Sequence, residues 1–359
     1  MTFNNIVFSI NNTYAPYLYI CLKSLLAHIK TYDKYKAYIL YTELSERHQE
    51  NILKLQNDNF KIEFINVETI ISKYKDNFSI NNHFTVETYY RFFLPHIFLK
   101  IDKVLYLDAD TMVMTDIKPL FQIDLGDNYL AVTHDCEIVR MSNLAGTEYS
   151  DYFTKTLGVK IENYFQAGVM IVNLAKMRQD NIMDKLLSAQ KKIGTPKFVD
   201  QDILNMVCQN KVLFIPQNWN YTWHLPFCDL NYSEHLSVFI RNAYKKAQNN
   251  PYIIHFTGNK MKPIDYPYAP YADIFWKYVQ NTPYNSQLIT DRKQSVIRNQ
   301  IIKDKISKKI QKYKLLNILS LGLLKNKYYK KIKKREKDLN IIKKYTEKGP
   351  IELKESTPK

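Results

Sequence analysis

The sequence predicts an α/β protein in which a mostly parallel sheet is flanked by helices and a basic helical tail follows. Strand-like and helix-like segments alternate from residue 4 onward, the pattern that builds parallel sheets with helices on their faces. A short apolar strand, Lys103-Val104-Leu105-Tyr106-Leu107, runs directly into Asp108-Ala109-Asp110, and open α/β sheets collect ligands at the carboxyl ends of their strands. Charge is also unevenly spread: residues 290–359 hold 22 Lys and Arg against 7 Asp and Glu, whereas residues 1–289 hold 29 against 28.

Residues 4–10, with the apolar run Ile6-Val7-Phe8, read as a buried first strand, and Leu18, Leu22, Leu25, Leu26 and Ile29 recur at the spacing of a helix face across 15–29. A second strand is expected over Ala37 to Tyr41, then a helix N-capped by Ser45 and reaching Leu55, then a third strand over Phe60 to Val67. Thr85 to Leu94 is expected to be helical and to stop at Pro95, because proline disfavours helical backbone in the residue before it. Beyond residues 103–107, strands are expected over Ala167–Val172, Lys211–Ile215 and Tyr252–His255, and helices over Ala175–Lys192 and Asp200–Cys208. The aromatic-rich span from Pro216 to Pro283 has weak periodicity and predicts little besides the strand at 252–255. In the tail, Ile302, Ile306 and Ile310 recur four apart among lysines, and Lys330 to Lys337 form a basic block beside Tyr328 and Tyr329, which reads as one or two amphipathic helices.

A hydrophobic content of 45% over 359 residues excludes a disordered chain. The net charge of +16 by itself points to nucleic acid, but the excess sits in the tail and the neutral body carries no recognisable nucleic-acid module, so no such partner is expected. Lysines interleaved with Ile, Leu and Tyr suit an interfacial helix on an anionic membrane surface, with a solvated charged face or a disordered extension as the alternative. The longest apolar stretch, Leu315 to Leu324, is interrupted by Asn317, Ser320 and Gly322 and falls short of the roughly 20 residues of a spanning helix. Met1 to Asn5 show no signal-peptide pattern. The expected location is therefore cytoplasmic, peripheral on the inner face of a bacterial cytoplasmic membrane. Cys21, Cys136, Cys208 and Cys228 form no Cys-x-x-Cys pair and read as buried free thiols.

Two carboxylates flanking one small residue at a strand end can face the same cation, and their hard oxygens suit Mg²⁺ or Mn²⁺. A cation there can neutralise a diphosphate and polarise it as a leaving group. An isolated Asp-x-Asp triplet also occurs as ordinary loop or cap residues. The second element is His255-Phe256-Thr257-Gly258 followed by Lys262-Pro263. A strand-end histidine offers a nitrogen ligand, Gly258 lets backbone approach phosphate closely, and Lys262 can pair with phosphate charge. Alone, His255 reads first as a satisfied core or edge histidine; beside Asp108 and Asp110 it becomes the third metal ligand.

These blocks resemble the retaining glycosyltransferases of family 8, which include bacterial lipooligosaccharide galactosyl- and glucosyltransferases and, more distantly, glycogenin. The resemblance runs from about Ile6 to Pro263 through Ile6-Val7-Phe8 with Tyr14-Ala15-Pro16-Tyr17, Thr88-Tyr89-Tyr90-Arg91, residues 103–110, Tyr164-Phe165-Gln166-Ala167-Gly168-Val169, Asp200-Gln201-Asp202-Ile203-Leu204, and His255 to Pro263. It implies a GT-A type catalytic domain over 1–289, a Rossmann-like mixed or mostly parallel sheet, with the acceptor side mainly in 216–289 and the basic tail in 290–359. It further implies a UDP-sugar donor, UDP-galactose or UDP-glucose, a divalent cofactor, and a glycan acceptor such as lipopolysaccharide core, lipid-linked or not.

Carried over residue by residue, the resemblance implies that Ser9, Asn11 and Tyr14 form the base and ribose pocket, with Tyr14 able to stack on a pyrimidine. Arg91 meets the diphosphate or the sugar, Ala109 lies with Asp108 and Asp110 against the metal-bound donor, and Asp135 binds sugar hydroxyls. Gln166 and Asp200 touch the donor sugar, and Gln201 lies near the anomeric carbon opposite the leaving group. The chain departs from the family with Asn11-Asn12 where acidic residues are common and Gln166 where Asn is usual. An extra residue before Lys262 makes Lys260 an alternative partner of the diphosphate, and Ile264 replaces a frequent Trp. Retaining hydrolases use a carboxylate nucleophile, and Gln201 is a poor one, so front-face displacement is favoured, with Asp200 as the alternative nucleophile. A nucleotide-sugar-binding protein without turnover, or a transferase acting on capsule or protein, are the competing readings.

Overall fold

The structure, a computed structural model, describes residues 3–78, 85–145, 147–223, 235–257, 262–319 and 325–347. The chain divides into two compact units, Met1–His255 and Phe256–Lys359.

The first unit is built on a seven-stranded sheet of β1 (Asn4–Ser9), β2 (Tyr35–Tyr41), β3 (Phe60–Asn66), β4 (Lys103–Leu107), β6 (Leu130–His134), β7 (Phe165–Asn173) and β8 (Val212–Phe214), in the order β3-β2-β1-β4-β7-β6-β8. Four of its six neighbouring pairs are parallel; β7 runs antiparallel to both β4 and β6. The central strands are buried on both faces, as Ile6, Val7 and Phe8 at 0% exposure show, which is why they read as continuous apolar runs and not as alternating ones. On the edge strand β3, Phe60 and Ile62 are buried while Lys61 and Glu63 are exposed, the alternation of a sheet covered on one face. The helix Ala15–Leu26 follows β1, and Ser45 Oγ accepts the His48 N–H to cap the helix Glu46–Leu53.

A second, three-stranded sheet is smaller. β5 (Thr111–Val113) and β9 (Tyr221–Thr222) flank β10 (Ile253–His255), and the antiparallel register pairs His255 with Thr111. That pairing sets the histidine directly beside the acidic triplet.

Several expectations need correction. Residues Val86–Phe93 form a 3₁₀ helix, and Pro95 sits in the first turn of a short α-helix, Leu94–Ile97. Proline's missing N–H is tolerated there because first-turn N–H groups have no intrahelical partner; Pro95 opens a helix where it was expected to close one. The helix expected over Ala175–Lys192 is two, Leu174–Gln179 and Ile182–Ile193, broken at Asn181 with φ 49°, a left-handed conformation that Asn tolerates better than most residues. The strands β5, β6 and β9 and the helices Cys136–Ala145, Val238–Asn249 and Ala272–Val279 were not anticipated. β5 and β9, of three and two residues, carry too little period to read.

In the second unit, the helices Asn285–Leu319 and Lys325–Thr346 run antiparallel, tied by ion pairs Lys303–Glu347 and Lys314–Glu336 and by stacked Tyr313 and Tyr328. Ile306 and Ile310 are 9% and 8% exposed. Two of the three isoleucines that suggested an amphipathic stripe are thus covered by protein, while Ile302 stays partly exposed.

Cys21, Cys136 and Cys208 are free and buried, and burial pushes the Cys21 and Cys208 thiols up to about 12; Cys228 lies outside the described residues. Among the described residues, no helix is long and apolar enough to cross a membrane.

Candidate active site

Strand β4 delivers Asp108 at its carboxyl end, where the Asp108 N–H donates to the Gly168 carbonyl of β7 (2.8 Å). Its own carbonyl accepts the Thr111 hydroxyl (2.8 Å), closing the turn that turns Asp110 back toward the same space. There His255 Nε2 lies 3.3 Å from Asp110 Oδ1 and 3.6 Å from Asp108 Oδ2. One ligand atom from each of the three falls within 4.8 Å of the others. Adjacent ligands of a small octahedral cation with bonds near 2.1 Å are about 3 Å apart, so two carboxylates and an imidazole at these separations fit a Mg²⁺- or Mn²⁺-sized ion. The Asp108 side chain is 25% exposed, against 9% for Asp110 and 2% for His255, so the open side of the cluster is at Asp108.

Gly168 makes the cluster possible. A Cβ at that position would stand 2.2 Å from His255 Cε1 and 2.6 Å from Asp108 Oδ2, closer than any side chain can approach. The glycine is required by space here, not by its backbone angles.

Arg91 lies beneath the acidic pair, 7% exposed. Its guanidinium donates to the Ala167 carbonyl (2.6 Å), the Thr88 carbonyl (2.9 Å) and Asp108 Oδ1 (3.0 Å), pairs with Asp200 Oδ2 at 3.0 Å and stacks on Tyr106 at 4.5 Å. Nε–H points at Thr88, so the contact with Asp200 is an ion pair without an aligned hydrogen bond. Burial weakens the guanidinium, but the Asp108 and Asp200 charges outweigh it and hold Arg91 more firmly protonated than usual. The resemblance implied a donor contact; the structure places Arg91 as the counter-ion of two site carboxylates.

Asp200 and Asp135 are both buried, and burial pushes each carboxyl up to about 6. For Asp200, Arg91 opposes the shift and Asp108 adds to it. Asp135 Oδ1 accepts the Ile138 N–H and Oδ2 accepts Gln201 Nε2 (2.9 Å), while Gln201 Oε1 accepts the Ala167 N–H (3.0 Å). Asp200 and Gln201 follow Val199, whose φ of 37° is an outlier for a β-branched residue and stores about 1–3 kcal/mol of strain.

Tyr14 is half-buried beside the cluster: burial first, then the charges of Asp110 and Asp108, push its phenol far above the usual range. Asn11 Oδ1 accepts the N–H groups of Thr13 and Tyr14, so its side-chain oxygen shapes the loop before the first helix. Ser9 ends β1 and Ala109 is 3% exposed between the two aspartates. Gln166 is 8% exposed and its Oε1 accepts from Gly168 N–H and Asn220 Nδ2, both at 2.6 Å. Lys262 belongs to the second unit and is 7% exposed; Gly258 and Lys260 lie outside the described residues. One residue escaped the sequence reading: Asn220, 0% exposed, whose Oδ1 is 3.1 Å from His255 Nδ1. Its only signal was a polar run, Gln217-Asn218-Trp219-Asn220, which sequence alone cannot tell from a surface loop.

The model of Glycosyl transferase family 8 matches residues 5–265. A putative glycosyltransferase of Haemophilus influenzae is 31% identical over 220 residues, spanning 61% of this chain and 63% of that protein. Lipopolysaccharide 1,2-glucosyltransferase of Escherichia coli K12 is 28% identical over 207 residues, spanning 57% of each. The chain therefore matches less than two thirds of either relative's length. The crystal structure of the galactosyltransferase LgtC with donor and acceptor sugar analogues matches with a TM-score of 0.62 at 24% identity, covering 78% of this chain and 96% of that one. The fold is thus of the GT-A type, with a mainly parallel central sheet flanked by helices.

Proposed function

The chain belongs to glycosyl transferase family 8, and on that premise we propose that it moves a hexose, galactose or glucose, from a UDP-sugar to a cell-surface glycan such as lipopolysaccharide or lipooligosaccharide core, with retention of configuration. The observation that carries this reading is the convergence of Asp108, Asp110 and His255 at a strand end. Mn²⁺ or Mg²⁺ bound by these three would supply charge neutralisation and Lewis acidity to the diphosphate leaving group. Arg91 holds Asp108 in place through its ion pair, and Asp108, the most exposed of the three, faces the open side of the cluster. The name of the lipopolysaccharide glucosyltransferase relative supports the acceptor class.

Gln201 presents an amide, a poor nucleophile, whose Oε1 accepts the Ala167 N–H while Nε2 donates to Asp135. Asp200 is 4% exposed and paired with Arg91. Both features favour front-face displacement, in which a diphosphate oxygen takes the acceptor hydroxyl proton as the donor bond breaks. Incubating the protein with UDP-galactose or UDP-glucose and Mn²⁺, without acceptor, is expected to release UDP slowly, and a chelator to stop it. Tight donor binding without any turnover, with or without acceptor glycan, would identify a binding protein instead.

Residues 1–289 are proposed as the catalytic domain and residues 290–359 as an attachment to the inner, anionic face of the cytoplasmic membrane. With Ile306 and Ile310 covered, attachment rests on exposed lysines together with Ile297, Ile301, Leu315 and Ile318, which are 62%, 48%, 56% and 70% exposed along one helix. The full chain is expected to float with phosphatidylglycerol vesicles, and the exposed triple change Lys330→Glu, Lys331→Glu, Lys334→Glu to lose most of that binding. Equal flotation of the two proteins would end the proposal.

A further inference from the structure

We propose that Asn220 is a positioning residue for the metal site: with Gln166 it forms a hydrogen-bond relay that keeps a proton on His255 Nδ1 and turns the Nε2 lone pair toward Asp108 and Asp110. The inference rests on the metal reading above and adds to it the device that prepares one ligand.

The relay starts from a group whose polarity is not adjustable. Between the β6/β7 register pairs Ala131↔Ile171 and Thr133↔Gln166 the ladder is irregular, and there the N–H groups of Ala167 and Gly168 are taken by side chains, Gln201 Oε1 and Gln166 Oε1. A peptide N–H can only donate, so the Gln166 atom 2.6 Å from Gly168 N is the carbonyl oxygen. The same oxygen is 2.6 Å from the Asn220 side chain, which must therefore present its NH₂ there. Asn220's other terminal atom is then the oxygen, and it faces His255 Nδ1 at 3.1 Å. An amide oxygen accepts and does not donate, so Nδ1 carries the hydrogen. Nε2, 3.3 Å from Asp110 and 3.6 Å from Asp108, is the nitrogen left to bind a cation.

Burial gives the relay its force. Gln166, Asn220 and His255 are 8%, 0% and 2% exposed, so solvent does not compete for these bonds, and any amide flip would set two donors or two acceptors against each other. Outer hydrogen-bond partners of metal-binding histidines typically set tautomer and ring orientation. The Gln166 side chain folds back to the Gly168 N–H and still reaches Asn220. A residue expected to touch the donor sugar is thereby assigned to the metal ligand's support.

The test is made without sugar. In the metal-free wild-type protein, ¹⁵N-edited NMR of the histidine rings, with His255 assigned by its loss in His255→Gln, is expected to show a hydrogen-bonded proton on Nδ1; an unprotonated Nδ1 overturns the proposal. This readout needs no folded Asn220 variant. Asn220→Ala and Gln166→Leu are each expected to weaken Mn²⁺ binding, followed by the signal of free Mn²⁺, by about ten- to a hundredfold. A residue acting only on the sugar would leave that affinity unchanged, so wild-type Mn²⁺ affinity in Gln166→Leu also overturns the relay. If wild type itself binds no Mn²⁺, the metal reading fails, and the wild-type ring spectrum still decides the Nδ1 proton.

Discussion

Asp110→Ala is expected to abolish transfer, lowering kcat/KM by at least about a thousandfold, or about 4 kcal/mol of transition-state stabilisation, while the protein stays folded. The substitution removes one of three donor atoms from a cluster that has no spare ligand among the described residues. A cation bound there would supply several kcal/mol only where it is held against the developing charge. Fold stability is not expected to suffer, because Asp110 shares its space with another carboxylate and with the Tyr14 phenol that both acids push up. Removing one negative charge relieves repulsion there. Steady-state kinetics with UDP-sugar and Mn²⁺, together with a melting curve, check both halves. Near-normal turnover in Asp110→Ala would remove the centre of the functional reading.

Arg91→Met is expected to act in the opposite way, through stability. The arginine is the single cation the structure places between Asp108 and Asp200 among the described residues, and it also serves the Thr88 and Ala167 carbonyls. Deleting one partner of a buried ion pair leaves an uncompensated charge and typically costs about 3–5 kcal/mol. Asp200, already pushed up to about 6 by burial, loses its main charge compensation. Arg91→Lys is expected to recover only part of the loss, since an ammonium cannot span donors arranged for a planar fork. Urea unfolding of the metal-free protein measures this directly. An unchanged midpoint with lost activity would return Arg91 to the donor contact that the family resemblance implied.

The two variants divide the site along a line that sequence could not draw. The cluster of Asp108, Asp110 and His255 was legible because residue types able to hold a metal stand together at strand ends. Gln201 and Asp135 were singled out by resemblance, but the hydrogen bond between them had no local signature. Asn220 was invisible because a buried asparagine and a loop asparagine are the same letter. The tail was read as helical and basic, which it is; of its isoleucine row, Ile306 and Ile310 pack while Ile302 stays partly exposed, because four-residue spacing signals an apolar face and not what covers it.

The sequence by itself determined the α/β alternation, the acidic pair at the end of β4 and the location of the excess charge, since periodicity, residue chemistry and composition are local properties; the family followed from resemblance of several motifs standing in one order. Tertiary structure alone decided that β7 runs antiparallel between β4 and β6, and that β10 pairs with β5 so that His255 reaches Asp108 and Asp110. It also turned Arg91 inward to two carboxylates and placed Asn220 behind the histidine. The physical reason is that a side-chain pattern states which groups must leave water, whereas the partner that receives each one is set by which distant strands and helices the fold brings together.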